Sequence, residues 1–168
     1  MSGIINSVGS KSGVIGQTDI VTPHFEAYGD TTHTIDGTND LAKTKLPNEK
    51  FDSHGWYNNA TDSWYFQPLE AGIYLIGTQA TGYAEDGVDN LKKLTCQIMK
   101  NADTVESQGF FDGRSNDFYN ITVSTQSLVS FNGSSDYVWS RVAAWTAVGD
   151  CILINPGTTF WGFKVHNL

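Results

Sequence analysis

At 168 residues the chain has room for one well-buried core and too little length for two ordinary domains. Hydrophobic residues at 39% against only 17% charged exclude an intrinsically disordered chain. A formal net charge of -8 repels phosphate backbones and anionic membrane surfaces, so nucleic acid is excluded as an electrostatically gathered partner.

Residues 1–20 read as an extended N-terminal docking arm. Ser2-Gly3-Ile4-Ile5 and Ser12-Gly13-Val14-Ile15 form a near-repeat whose Gly and Ser content argues against a helix. The aliphatic pairs argue equally against a purely solvated linker, so Ile4, Ile5, Val14 and Ile15 are expected to dock on another protein. The alternative, a frayed terminus, stays open. The opening residues lack a basic region followed by an apolar run, and nowhere do about 18 apolar residues run together, so neither secretion nor membrane insertion is expected.

Residues 21–168 read as one head made of strands and tight turns. Turn signals stand at Tyr28-Gly29-Asp30, Asp36-Gly37, Asp86-Gly87, Asp112-Gly113, Asn132-Gly133 and Asn155-Pro156-Gly157, leaving no space for a helix of ordinary length. Leu94, Cys96 and Ile98 alternate with Thr95 and Gln97, which predicts a strand with Cys96 pointing inward. The clearest alternation runs from Ile121 to Phe131, with Ile121, Val123, Thr125, Val129 and Phe131 on one face. Cys96 and Cys151, too few for a disulfide framework and without the partners of a zinc site, read as buried thiols.

Two strands break the simple pattern. Between Tyr137 and Trp145 the even positions suit a core, yet Tyr137, Trp139 and Trp145 occupy the odd ones. Between Phe160 and Val165, Phe160 falls on one face while Trp161, Phe163 and Val165 fall on the other. A strand apolar on both faces must be covered on both. The expectation is that Tyr137, Trp139, Trp145, Trp161 and Phe163 face another subunit, with a covering loop as the alternative.

Phe51-Asp52, Tyr57-Asn58, Thr61, Phe66, Pro68 and Ala71-Gly72-Ile73-Tyr74-Leu75-Ile76 resemble the signature of the complement-subcomponent globular head. Leu94 to Asn101, Ser135-Asp136-Tyr137-Val138-Trp139 and Thr159 to Val165 resemble later strands of the same family, so the likeness runs from about Phe25 to the C-terminus. The resemblance implies an all-β jelly roll of the complement and tumour-necrosis-factor type: two antiparallel sheets in Greek-key order, assembled as a homotrimer. Ser135 stands where that family usually has Gly, and no collagen-like stalk is present, which argues against a secreted animal adaptor. Separately, Met1 to Gly16 resembles the opening of virion structural proteins of marine bacteriophages.

No chemistry-bearing constellation emerges. The nucleophile-elbow pattern is absent, His24, His33, His54 and His166 are scattered, and no phosphate-binding glycine loop is present, so no enzymatic activity and no cofactor are expected. Acidic loops nominate Asp86, Asp89 and Asp112 as weak calcium ligands on charge density alone. Trp56 and Tyr57 are candidate stacking platforms for a host-surface glycan, while Trp64 and Phe66 are assigned to the core. The function expected from the sequence is therefore a bacteriophage virion-surface protein, assembled in the host cytoplasm, serving capsid decoration or tail-fibre attachment. Its expected partners are two further copies of itself and a virion protein held by the arm. The alternative is a free lectin-like adhesive trimer.

Overall fold

A computed structural model describes residues 22–29, 33–87, 90–114 and 116–168. The proposed docking residues Ile4, Ile5, Val14 and Ile15, with the whole of the arm, lie outside the described residues, as does Asp89. Within them the chain forms strands and no helix.

In chain order the strands are β1 (His24–Tyr28), β2 (His33–Ile35), β3 (Ala42–Lys43), β4 (Asn48–Asp52), β5 (Tyr57–Asn58), β6 (Tyr65–Phe66) and β7 (Ala71–Ala84), followed by β8 (Leu91–Lys100), β9 (Thr104–Asp112), β10 (Asn120–Asn132), β11 (Val138–Thr146), β12 (Cys151–Leu153) and β13 (Thr159–His166). They build two antiparallel sheets. In sheet A, the 14-residue β7 lies between β10 on one side and β13 and β12 on the other, and β1 and β4 continue the sheet beyond β13. Sheet B runs β5-β6-β11-β8-β9, with β3 also pairing β11. The chain changes sheet after β2, β3, β4, β6, β7, β9, β10 and β11, so neighbours in space are distant in sequence, as a Greek-key sandwich requires.

The predicted alternations hold. Ile121, Val123, Val129 and Phe131 of β10 face the interior, as do Leu94, Cys96 and Ile98 of β8. The interior falls into two clusters. One is aromatic, centred on Phe25, whose ring lies 4.1 Å from that of Phe66 and 5.1 Å from that of Phe160. The other is built from smaller aliphatic side chains together with Cys96 and Cys151. Both thiols are buried and unpaired, and desolvation pushes them upward, to about 11 for Cys96 and about 12 for Cys151.

A chain of hydroxyls joins the sheets: Ser140 Oγ of β11 lies 2.8 Å from Thr78 Oγ1 of β7 and 3.1 Å from Thr44 Oγ1. Thr78 also donates to the carbonyl of Thr159. Burying these hydroxyls without partners would be costly, and their mutual bonding offsets that cost.

Gly72 enters β7 beneath the end of β13. A Cβ there would stand 2.6 Å from the carbonyl oxygen of His166, a backbone atom that cannot swing aside. We expect Gly72→Val to lower stability by roughly 1–3 kcal/mol, the usual cost of overpacking. Thermal denaturation checks it; an unchanged melting temperature would mean that this crossing of β7 and β13 is not close.

Candidate functional site

The five aromatic residues expected at one subunit interface lie on opposite faces of the sandwich. Tyr137, just before β11, and Trp139 and Trp145 within it belong to the outer side of sheet B, whereas Trp161 and Phe163 of β13 are on the outer side of sheet A. A single flat interface cannot contain both groups.

On sheet B the chain supplies its own cover. Trp139 stands opposite Met99 of β8, which is fully buried, and the indole N–H donates to the carbonyl of Asn101 at 2.8 Å. Lys43 Nζ lies 5.4 Å from the Trp139 ring and 5.9 Å from that of Tyr65, which in turn packs at 5.3 Å on Tyr137. Desolvation lowers the Lys43 pKa, with Asp62 opposing the shift. Further along, Arg141 donates to Gln97 and Gln97 to Gln108, a polar lattice over the outer side of β8. Trp145 is 44% exposed with Lys92 Nζ 5.8 Å from its ring. Tyr137 and Trp139 thus pack against Tyr65, Lys43 and Met99 of their own chain, whereas Trp145 keeps an exposed face.

Sheet A differs. The registers of four strands place His24, Phe163, Leu75 and Leu128 directly abreast, so one row across β1, β13, β7 and β10 points outward and is almost wholly apolar. Phe163 is 39% exposed and Leu128 63%. In the next row Trp161 lies between Glu26 and Gly77, and a Cβ at Gly77 would overlap the indole ring. Glycine there lets the ring lie flat across β7. Stacked Trp161 and Phe163, 6.3 Å apart, face the edge-on pair His24 and Phe51, 5.1 Å apart, across an open groove of about 640 Å³. Toward Thr159, Gln79 and Ser124 the face turns polar.

A second apolar feature lies at the neighbouring edge. Phe110 and Val105 of β9 are exposed beside the β9–β10 corner, where Gly109 presses against the backbone of Ser124 and Ser107 Oγ meets Thr125 Oγ1 at 2.5 Å.

The candidate glycan contacts also separate. Tyr57 is a core residue: it is 6% exposed, its ring packs at 5.5 Å on Phe25, and its hydroxyl donates to the Leu46 carbonyl at 2.9 Å. Burial, reinforced by Glu49, pushes its pKa upward. It is therefore corrected from a sugar platform to part of the interior. Trp56 remains half-buried on a cleft of about 380 Å³, where Tyr65, Asn58, Asn59 and Gln67 join it. Tyr65 was within reach of the sequence, since Trp64-Tyr65-Phe66 reads as a possible sugar platform with Trp64 and Phe66 inward, whereas Asn58, Asn59 and Gln67 were not assigned to a glycan site.

Of the weak calcium ligands, Asp86 and Asp112 lie within the described residues. Asp86 accepts from Asn90 Nδ2 at 2.5 Å, and Asp112 accepts the backbone N–H of Arg114 in its own turn. Among the described residues no three His, Cys, Asp or Glu side chains stand close enough to hold a metal ion. Ser53 Oγ lies 2.7 Å from His54 Nδ1, a pair that no sequence motif marks, but the same oxygen also takes the backbone N–H of His24 and lies 3.2 Å from its carbonyl. That hydroxyl pins β1 to the loop after β4.

No family model matches the sequence, and no curated protein is similar to it in sequence. Comparison of the structures is decisive where sequence is not. The chain superposes on Eiger TNF from S. frugiperda with a TM-score of 0.56 at 10% identity, covering 88% of this chain and 94% of that one. Against murine APRIL at pH 5.0 the TM-score is 0.61 at 10% identity, covering 86% and 99%. The fold is a tumour-necrosis-factor-like jelly roll. The two antiparallel sheets in Greek-key order are therefore those the resemblance implied, while identity this low speaks to fold alone.

Proposed function

We propose that the protein is a homotrimeric surface module of a bacteriophage virion, in which sheet A joins three copies and the arm fastens them to another virion protein. The observation that carries the assembly is the row His24, Phe163, Leu75 and Leu128, an apolar band across four strands with Trp161 beside it. Exposed apolar areas of this kind mark interaction surfaces, and in a chain with net charge -8 identical copies approach with least repulsion on a band that carries few charges, where Glu26 in the adjoining row is paired with Lys50.

A face-to-face pair would cover the band but leave Phe110 and Val105 of β9 in water. An edge-to-face contact covers both patches at once, and such a heterologous contact closes into a ring when its rotation permits. A ring of three follows the jelly-roll resemblance. Within this reading the protein performs no chemistry, and its head faces outward on a capsid or a tail fibre. A free adhesive trimer is the second reading, favoured by the cleft beside Trp56 on the opposite edge of the sandwich.

The particle assignment rests on the resemblance of Met1 to Gly16 to bacteriophage virion proteins. Burial of each aliphatic residue of the arm is expected to contribute about 1.5–3 kcal/mol, and three arms act together. Deletion of residues 2–16 should leave a folded trimer that no longer enters particles, measured by protein content of purified virions. Normal incorporation of the truncated chain would exclude the arm as anchor; loss of the trimer would make it part of the subunit interface.

A further inference from the structure

Trp56 lies on the segment before β5 and is held from several sides. Its carbonyl accepts the N–H of Gln67 at 3.0 Å, its ring rests against the aromatic core at Phe66, and the His54 ring lies 4.5 Å away. His54 is itself fixed by Ser53. A ring so braced loses little freedom when a ligand stacks on it.

Across the cleft Tyr65 pairs with Asn58 in the β5–β6 register, and Asn58 Nδ2 donates to the Tyr65 hydroxyl at 3.2 Å. That bond occupies an acceptor position of the phenol and leaves its O–H free to donate. Gln67 spends its amide N–H on the Ser134 carbonyl at 2.9 Å, which orients the side chain and leaves Oε1 as an acceptor. Asn59 adds an exposed carboxamide, and Leu69 closes one wall.

The cleft therefore combines a rigid indole face, a phenolic donor and amide donors and acceptors, and its lining holds no charged side chain. A pyranose ring presents the complementary surface: an apolar face of C–H groups for stacking, and hydroxyls that each donate and accept. Lys43 lies outside the lining, its Nζ 5.9 Å from the Tyr65 ring, and donates to the Asp62 carbonyl, so an acidic sugar would gain little from it and would approach a protein of net charge -8.

We propose that this cleft binds a neutral pyranoside, a hexose or N-acetylhexosamine, with Trp56 as the stacking platform and Tyr65 and Gln67 as the hydrogen-bonding pair. This deepens the adhesive part of the function proposed above and does not depend on the number of subunits. The cleft lies on the β5 edge of sheet B and shares no lining residue with the groove along the apolar row of sheet A, so assembly through that row repeats the cleft in each copy. Weak binding at one cleft would then be multiplied by avidity.

The test is saturation-transfer NMR on the intact chain with the methyl glycosides of glucose, galactose, mannose and N-acetylglucosamine, and with methyl N-acetylneuraminate as the anionic probe. Transfer to ring protons of at least one neutral glycoside is expected, with none to the anionic probe. Trp56→Ala should weaken binding at least about tenfold, as loss of a buried aromatic anchor does. Because Trp56 also touches the core, Tyr65→Phe serves as the conservative variant: it keeps the ring, should melt like the parent, and should weaken binding about fivefold through one lost hydrogen bond. Absence of transfer to every neutral glycoside, equal transfer to the anionic probe, or full binding by both variants overturns the proposal. The mass of the assembly, measured on the same samples, shows separately whether the trimer reading stands.

Discussion

Phe163→Glu is expected to convert the assembly to folded monomers. Phe163 stands in the centre of the outward row, between His24 and Leu75 in register and stacked beside Trp161. A carboxylate there would be buried against apolar side chains of the adjoining copy without a counterion, a placement that costs several kcal/mol per contact. The ring repeats each contact, so the loss is multiplied. The head should nevertheless stay folded, because the Phe163 side chain points away from both core clusters. Trp139→Glu on sheet B is the matched control: it should leave the mass unchanged, since Trp139 packs within its own chain against Lys43 and Met99. Sedimentation velocity separates the outcomes. A trimer that survives Phe163→Glu but falls apart on Trp139→Glu would assign the interface to the wrong sheet.

Acidification should destabilise the head through His33 before most carboxylates are protonated. His33 is 5% exposed on β2, and its Nδ1 accepts the backbone N–H of Lys45 at 3.3 Å. Desolvation, and next the nearby Lys45 charge, hold its pKa down at about 4, against 6.5 in an open chain. The unfolded chain therefore binds the proton more readily, so this stability is fully present above about pH 6.5 and is lost as pH falls toward about 4. The gap corresponds to about 3 kcal/mol when the loss is complete. Chemical denaturation across that window should show the decline, and His33→Gln, whose amide oxygen can take over the Lys45 bond, should flatten it. A parent and variant with parallel pH profiles would show that His33 is not held neutral by the fold.

Local periodicity made much of this architecture legible. The inward positions of β8 and β10 and the absence of helix follow from alternation and turn chemistry alone, since side chains of a strand obey a period of two wherever it lies. Which sheet a strand joins is a non-local matter. β11 and β13 look alike in sequence, each aromatic on its second face. Yet β11 lies in sheet B, where Lys43 and the Arg141–Gln97–Gln108 lattice accompany its outward rings, and β13 lies in the middle of sheet A. Those neighbours come from segments tens of residues away and leave no trace in the local pattern.

The candidate cleft shows the same boundary. Trp56 stood out as a loop aromatic next to Gly55, but Tyr57 turned inward because it pairs with Phe66, and both side chains feed the aromatic core. The two-residue strands β5 and β6 are too short for a readable period. The Thr44–Ser140–Thr78 hydroxyl chain was equally hidden, since its members lie in three different strand regions and each alone resembles an ordinary surface residue.

The central claim is that sheet A joins three copies, and it is tested most directly by sedimentation equilibrium of the full-length protein at micromolar concentration. The account predicts a single species of about three times the 18.4 kDa chain mass. A species of 18.4 kDa across that concentration range would contradict it.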